Sequence, residues 1–239
     1  MDFERVAQRL NGSLGRVWPL EGGVSARTTA IEVGQQTYVV REHAGAALEF
    51  RLLQLLAKTG IPVPPPRLLD EAGAYLVTDY VESDPPPPPA EVAHALAAAL
   101  LEIHGLGTAG FSFLATLDEP GVLLHGDLWP GNVLWRDARI AAIVDWEDAA
   151  IGDPLRDLAV ARLELLWAYG REEMDEFTEQ YRGACPSLDF AALPERDLEA
   201  AERLAPQLPS WGLDPDAETR MRERSEDFAA DARQRLRGC

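Results

Sequence analysis

The chain has 239 residues, with 40 acidic against 22 basic side chains and a formal net charge of −18. That length fits one or two domains, and 46% hydrophobic residues exclude wholesale disorder. The charge excludes a general grip on a phosphate backbone, which needs a basic face, so no nucleic-acid partner is expected.

The first eighty residues read as short strands with one helix among them. Arg16–Leu20 and Thr28–Val33 flank the segment Glu21-Gly22-Gly23-Val24-Ser25. Thr37–Arg41 follows the turn Gly34-Gln35-Gln36, which signals a hairpin. A Leu-rich helix is predicted over 46–59, closed by Gly60 with Pro62 just beyond. On it, Glu49, Leu52, Leu53 and Leu56 fall at i, i+3, i+4 and i+7, so Glu49 shares the apolar face and needs a partner. Arg41 is the nearest upstream candidate. Tyr75–Val81 has strong strand propensity.

Five prolines, Pro85–Pro89, form a stiff spacer that can enter neither a sheet nor a helix interior. The pattern changes across them, so a boundary is expected there, with one domain over 1–82 and a second over 83–239. After it, helices are predicted over 90–105, 154–169, 171–183, 195–206 and 216–237, interrupted by a small β insert over 122–144. A β-rich first part and a helical second part imply an α+β class rather than alternating βαβ units.

No run approaches the ~20 apolar residues of a membrane helix. The first residues carry no basic segment ahead of an apolar core, so no signal peptide is expected and the default compartment is the cytoplasm. Cys185 and Cys239 have no metal spacing, and the four His residues are scattered.

The chemistry-bearing stretch runs from Val122 to Asp148. It places His125-Gly126-Asp127 after three apolar residues, then Leu128-Trp129-Pro130-Gly131-Asn132, an apolar strand, a turn at 136–139 and a return strand ending on Asp145. Such a hairpin brings Asn132 and Asp145 close, and two oxygen-bearing side chains beside Asp127 suit a hard cation such as Mg²⁺. The motifs His125-Gly-Asp-Leu-x-Pro-Gly-Asn132, Ile143-Val-Asp-Trp-Glu147, Gly152-Asp-Pro154 and Asp157-Leu-Ala159 resemble the signature of the aminoglycoside phosphotransferase and choline kinase family, within the protein-kinase-like superfamily.

The resemblance implies a two-lobed protein-kinase-like fold. It implies an ATP- and Mg²⁺-dependent transfer of a phosphoryl group to a hydroxyl of a small-molecule acceptor. Asp127 would be the base, and Asn132 and Asp145 would hold the metal. Gly22, Gly23 and Ser25 would form a phosphate loop shorter than that of protein kinases. The usual strand Lys is missing, since the one Lys is Lys58; Arg41 stands in its place, paired to Glu49. Asp79 and Val81 would read the base through their backbones. Glu147 is either a second metal contact or a solvated acid. His125 is expected to brace the loop and Asp153 to cap a helix, with Asp157 also structural. Trp146-Glu147 replaces Phe-Gly and runs directly to Gly152-Asp-Pro154, which leaves no room for a long activation segment.

The acceptor stays open. The acid excess is spread over both halves, and Glu172, Glu173, Asp175, Glu176 and Glu179 read as a solvated helix face. Trp167, Tyr169 and Trp211 fit core packing better than a pocket. A ketoamine kinase, a silent nucleotide-binding regulator and a metal-dependent hydrolase are the alternatives, and the sequence sets no oligomeric state.

Overall fold

The computed structural model describes residues 1–20, 27–118 and 120–238. Its contacts divide the chain into two compact units, Met1–Asp84 with Leu134–Glu147, and Pro85–Val133 with Asp148–Cys239. The break near Asp84 falls where the prolines begin. The ribbon 134–147 belongs with the first unit, so a simple division into 1–82 and 83–239 does not describe the packing.

In the first unit, strands β1 (Leu14–Pro19), β2 (Arg27–Val33), β3 (Gln36–Glu42), β4 (Pro66–Leu69) and β5 (Tyr75–Asp79) form one antiparallel sheet in the order β1-β2-β3-β5-β4. The β2–β3 hairpin closes through Gly34-Gln35 with Val33 opposite Gln36; Gly34 takes φ +64°, which glycine adopts without steric cost. Helix α1 (Phe3–Arg9), capped by the Asp2 carboxylate on the Arg5 amide at 3.1 Å, covers one sheet face. Val6 and Ala7 pack there against Ile31, Val33, Tyr38, Val40 and Val77. Strands alternate, so Arg41 projects from the face opposite to Val40. Helix α2 (Ala46–Leu56) packs on β4 and β5 and buries the predicted set Glu49, Leu52, Leu53 and Leu56.

The two-stranded ribbon of β8 (Val133–Arg136) and β9 (Arg139–Ile143) turns through Asp137 and Ala138, both at positive φ as a tight hairpin turn requires. The first unit holds this ribbon through the Ile143 amide on the Pro62 carbonyl (2.8 Å) and the Asp84 amide on the Trp135 carbonyl (2.8 Å).

The second unit is helical: α3 (Pro89–His104), α4 (Pro154–Ala168), α5 (Arg171–Ala184), α6 (Leu193–Leu204) and α7 (Pro215–Gly238). It also holds a small sheet of β6 (Ala115–Thr116), β10 (Ala150–Gly152) and β7 (Val122–Leu124). Every residue of α4 from Asp157 to Trp167 is buried, and α5, α6 and α7 pack around it. A helix buried on all sides carries its polar residues inward, where each needs a partner. Arg162 forks onto both Asp197 oxygens at 3.0 and 3.1 Å and also donates to the Thr178 hydroxyl. Trp167 donates to Ser225 at 2.9 Å and meets Trp211 edge to face, which confirms a packing role.

Three expectations change. Helix α1 and strand β4 add to the first unit, since seven mostly polar residues and a four-residue strand among prolines carry little periodic signal. Pro89 is the first residue of α3 rather than the last of a spacer, because a missing N–H costs nothing in a first helical turn. The predicted 195–206 helix is Leu193–Leu204, continued as a 3-10 turn over Ala205–Ser210.

Candidate active site

In the first unit, Arg41 is the centre of a charged cluster. Its guanidinium meets Glu49 Oε1 at 2.5 Å and Asp145 Oδ1 at 2.6 Å. Burial alone would lower the Arg41 pKa, but Glu49 and then Asp145 outweigh it and hold the guanidinium above its ordinary value. The pairing inferred from the helix pattern is therefore present, and the same arginine also orients Asp145. Asp145 follows β9 with φ +66°, a left-handed conformation that Asp tolerates better than most residues. His43, two residues beyond Arg41 on the same side of the chain, completes the cluster: its Nε2 lies 2.7 Å from Glu49 Oε2 and its Nδ1 3.5 Å from Glu147 Oε2. The His43–Glu49 contact has pairing distance without hydrogen-bond alignment, and both atoms are buried. Glu147 thus sits in the cluster rather than as a solvated acid. Sequence reasoning passed over His43, although its i+2 spacing from Arg41 was the signal.

Asp79 lies apart. Its carboxylate takes a bidentate pair from Arg67 at 2.7 and 2.5 Å, and its amide donates to the Pro65 carbonyl at 2.9 Å. The Asp79 N–H is therefore already engaged; Val81 follows, half-buried. Gly22, Gly23 and Ser25 lie outside the described residues.

In the second unit, the loop after β7 presents Asp127. Asn132, buried, donates its amide NH₂ to the Asp127 backbone carbonyl at 2.8 Å and to the Asp127 carboxylate at 3.1 Å. Both partners are acceptors, so the nitrogen faces Asp127 and the Asn132 carbonyl oxygen faces away, available as a ligand. His125 is fully buried, and its Nδ1 accepts from the Asp127 amide at 3.2 Å, which is the bracing expected of it. Gly126 takes φ +89°, and a Cβ there would collide with the Asp148 carbonyl.

The loop hangs on α4. Asp157 Oδ2 accepts from the His125 amide at 2.7 Å and Oδ1 from the Gly126 amide at 2.8 Å. His104 Nε2 approaches Asp157 at 3.3 Å, while its Nδ1 meets the Tyr181 hydroxyl at 2.6 Å. The Asp157 carboxylate can only accept, so the Nε2 proton of His104 points at it. Burial works to raise the Asp157 pKa, yet the hydrogen bond and charge of His104, with His125, hold it below the usual carboxylate value. Asp153 caps α4 on the Leu155 amide at 3.0 Å, as expected.

One acid here went unmarked in the sequence. Glu164, buried on α4, has its pKa pushed up to about 8 by burial and by the Asp127 charge, against a smaller opposing effect of Arg203. It stands seven residues after Asp157, two turns along the same helix.

The comparisons with known proteins give these arrangements a family. The model of the phosphotransferase enzyme family, APH, matches residues 16–115 and 112–197. The chain belongs to that family. A human relative, acyl-CoA dehydrogenase family member 11, is 23% identical over 235 residues, covering 70% of this chain. The chain spans only 30% of that relative's length. Among solved structures, choline kinase LicA from Streptococcus pneumoniae superposes with a TM-score of 0.69 at 17% identity, covering 96% of this chain and 98% of LicA. A thermostable mutant of aminoglycoside phosphotransferase APH(4)-Ia, in ternary complex with ADP and hygromycin B, gives 0.66 at 17%, covering 96% and 98%. At these identities the likeness establishes the protein-kinase-like fold.

The raised Glu164 pKa makes a prediction. Unfolded Glu loses its proton near 4.5, and folded Glu164 near 8, so the folded chain binds the extra proton between those values. Wild-type stability should therefore fall as pH rises through that window relative to Glu164→Gln, and level off above it. Urea unfolding of both proteins at about pH 5, 6.5 and 8 checks this. A difference independent of pH contradicts it.

Proposed function

We propose that the chain is an ATP- and Mg²⁺-dependent phosphotransferase that moves the γ-phosphoryl group to a hydroxyl of a small molecule. The observation that carries the reading is the build of the Asp127 loop: a carboxylate tied to Asn132 and presented by a loop that Asp157 holds through two amides. Asp127 accepts the proton of the acceptor hydroxyl, whose oxygen attacks the phosphorus in line as ADP leaves. No covalent phosphoenzyme is needed.

The chain's donors suit a hard divalent cation. Around Arg41, the carboxylates of Glu49, Asp145 and Glu147 outnumber one guanidinium and one imidazole, so a further positive charge balances the cluster. Asp145 and the Asn132 carbonyl oxygen would hold Mg²⁺, which when bound offsets charge on the phosphoryl oxygens. Arg41, fixed by Glu49, would contact phosphate; its fork can serve a carboxylate and a phosphate together, which Lys cannot do as well. Gly22, Gly23 and Ser25 would cradle phosphates, and the backbones of Asp79 and Val81 would meet the base, Asp79 through its carbonyl.

The family's breadth allows aminoglycosides, sugars, amino alcohols and ketoamines as acceptors. An ATP-consumption screen over such compounds identifies the substrate and separates an enzyme from a silent nucleotide binder. Asp127→Ala should lower kcat by ~10²–10⁴-fold, the worth of a general base, with nucleotide binding kept. Equal turnover by the two proteins removes Asp127 from its role. Asp145→Ala should raise the Mg²⁺ concentration needed for half-maximal rate as well as lowering the rate. A metal dependence like that of wild type contradicts the assignment.

A further inference from the structure

A cavity of about 240 Å³ opens within the second unit, between the small sheet and the helices α4 and α6. Its walls are apolar: Leu124 of β7, Ala150 of β10, Val160 of α4 and Ala200 of α6 are buried around it, and Leu117, 54% exposed, also lines it. Three guanidiniums border the same space, those of Arg156, Arg196 and Arg203. Two are already neutralised: Glu199 takes Arg156 at 3.0 Å and Arg196 at 2.9 Å, with Asp118 and Asp153 as further partners. Arg203 differs. Among the described residues no carboxylate comes within ion-pair distance of it, and its guanidinium makes one hydrogen bond, from Nη2 to the Gly126 carbonyl at 3.1 Å. Most of its N–H donors are therefore left for another acceptor. The other acids of the cavity do not answer it: Asp157 is held by the loop amides and His104, and Asp148 is exposed to solvent.

We propose that this cavity is a binding site for a small apolar carboxylate, whose hydrocarbon body lies on Leu124, Ala150, Val160 and Ala200 and whose carboxyl group meets Arg203. A guanidinium bonds a charged acceptor more strongly than a neutral one, so Arg203 favours a carboxylate over an amide or alcohol of the same shape. A bare inorganic anion gains nothing from the apolar walls. The volume lies below the roughly 300–1,000 Å³ of pockets for drug-sized ligands, which limits the ligand to one ring or one short chain. Occupancy reaches the base through one peptide. The peptide between Gly126 and Asp127 is held at both ends, its carbonyl by Arg203 and its N–H by His125 Nδ1 at 3.2 Å. A carboxylate on the remaining N–H groups fixes the guanidinium, and with it that carbonyl, so the site steadies the backbone that carries Asp127. The assignment stands apart from the phosphotransferase reading, because neither binding nor the state of this peptide requires a nucleotide.

The test titrates the full chain, without nucleotide, with phenylacetate and hexanoate against phenylacetamide, hexan-1-ol, acetate and inorganic phosphate, and follows backbone amides by heteronuclear NMR. At least one apolar carboxylate should bind ~10-fold or more tightly than its neutral analogue, about the worth of one hydrogen bond to a charged group. It should bind more tightly than acetate or phosphate as well, and move the amides of Leu124, Gly126, Ala150 and Ala200. Arg203→Gln, a change at an exposed position, should bring the carboxylate down to the affinity of the neutral analogue. Ala200→Leu should weaken acid and analogue alike, since the larger side chain takes up the cavity. Asp148→Asn should tighten carboxylate binding by removing a like charge. Amide exchange at Asp127 should slow on saturation with the carboxylate in wild type and not in Arg203→Gln. No carboxylate bound up to about 10 mM, acid and analogue bound equally, acetate or phosphate bound as tightly, or a carboxylate affinity unchanged in Arg203→Gln each overturns the proposal. So do shifts centred away from the cavity, or an Asp127 amide untouched by saturation. ATP turnover has no part in these readings, so its absence removes the phosphotransferase reading alone.

Discussion

Two backbone amides, those of His125 and Gly126, end on one buried carboxylate, Asp157. The rest of the second unit is organised around that junction. Loop amides are costly to bury unpaired, and a carboxylate inside a helical core is costlier still. Each solves the other's problem, and charged acceptors make such bonds about twice as strong as neutral ones. His104 and Tyr181 extend the network into α3 and α5, so three helices share in placing a loop none of them contains. Asp127 inherits its position from this arrangement, with His125 and Asn132 fixing it from either side.

The first unit solves a different problem with the same economy of cations. In a chain with one lysine, the strand position holds an arginine, Arg41, whose fork spans Glu49 and Asp145. A point-charge ammonium would hold one of these well, whereas a planar guanidinium holds both. The cluster keeps an excess of carboxylate even so. That excess is what a divalent ion would neutralise; Glu147 adds to it, and His43 stands between Glu49 and Glu147.

Much of this was legible in the residues. The i, i+3, i+4, i+7 pattern of α2 placed Glu49 beside leucines and thereby demanded Arg41. The spacing from His125 to Asp145 gave the loop, the ribbon and the candidate ligands. Periodicity failed where elements were short or masked by proline, as in α1, β4 and the three-residue β10. It also failed for partners distant in sequence: nothing near His104 announces Asp157 or Tyr181, because their contact depends on how α3, α4 and α5 pack. Glu164 was hidden for the opposite reason. On a helix buried all round, a polar residue does not break an apolar stripe, since no stripe is left to break.

The central claim is that Asp157 acts on chemistry by holding the loop that presents Asp127. Amide hydrogen exchange at His125 and Gly126 in wild type and Asp157→Asn, read beside ATP turnover, tests it most directly. The account predicts fast exchange at these two amides and a large loss of turnover in a variant whose helices remain folded. Amides still protected, with turnover still lost, or amides released with turnover intact, would contradict it.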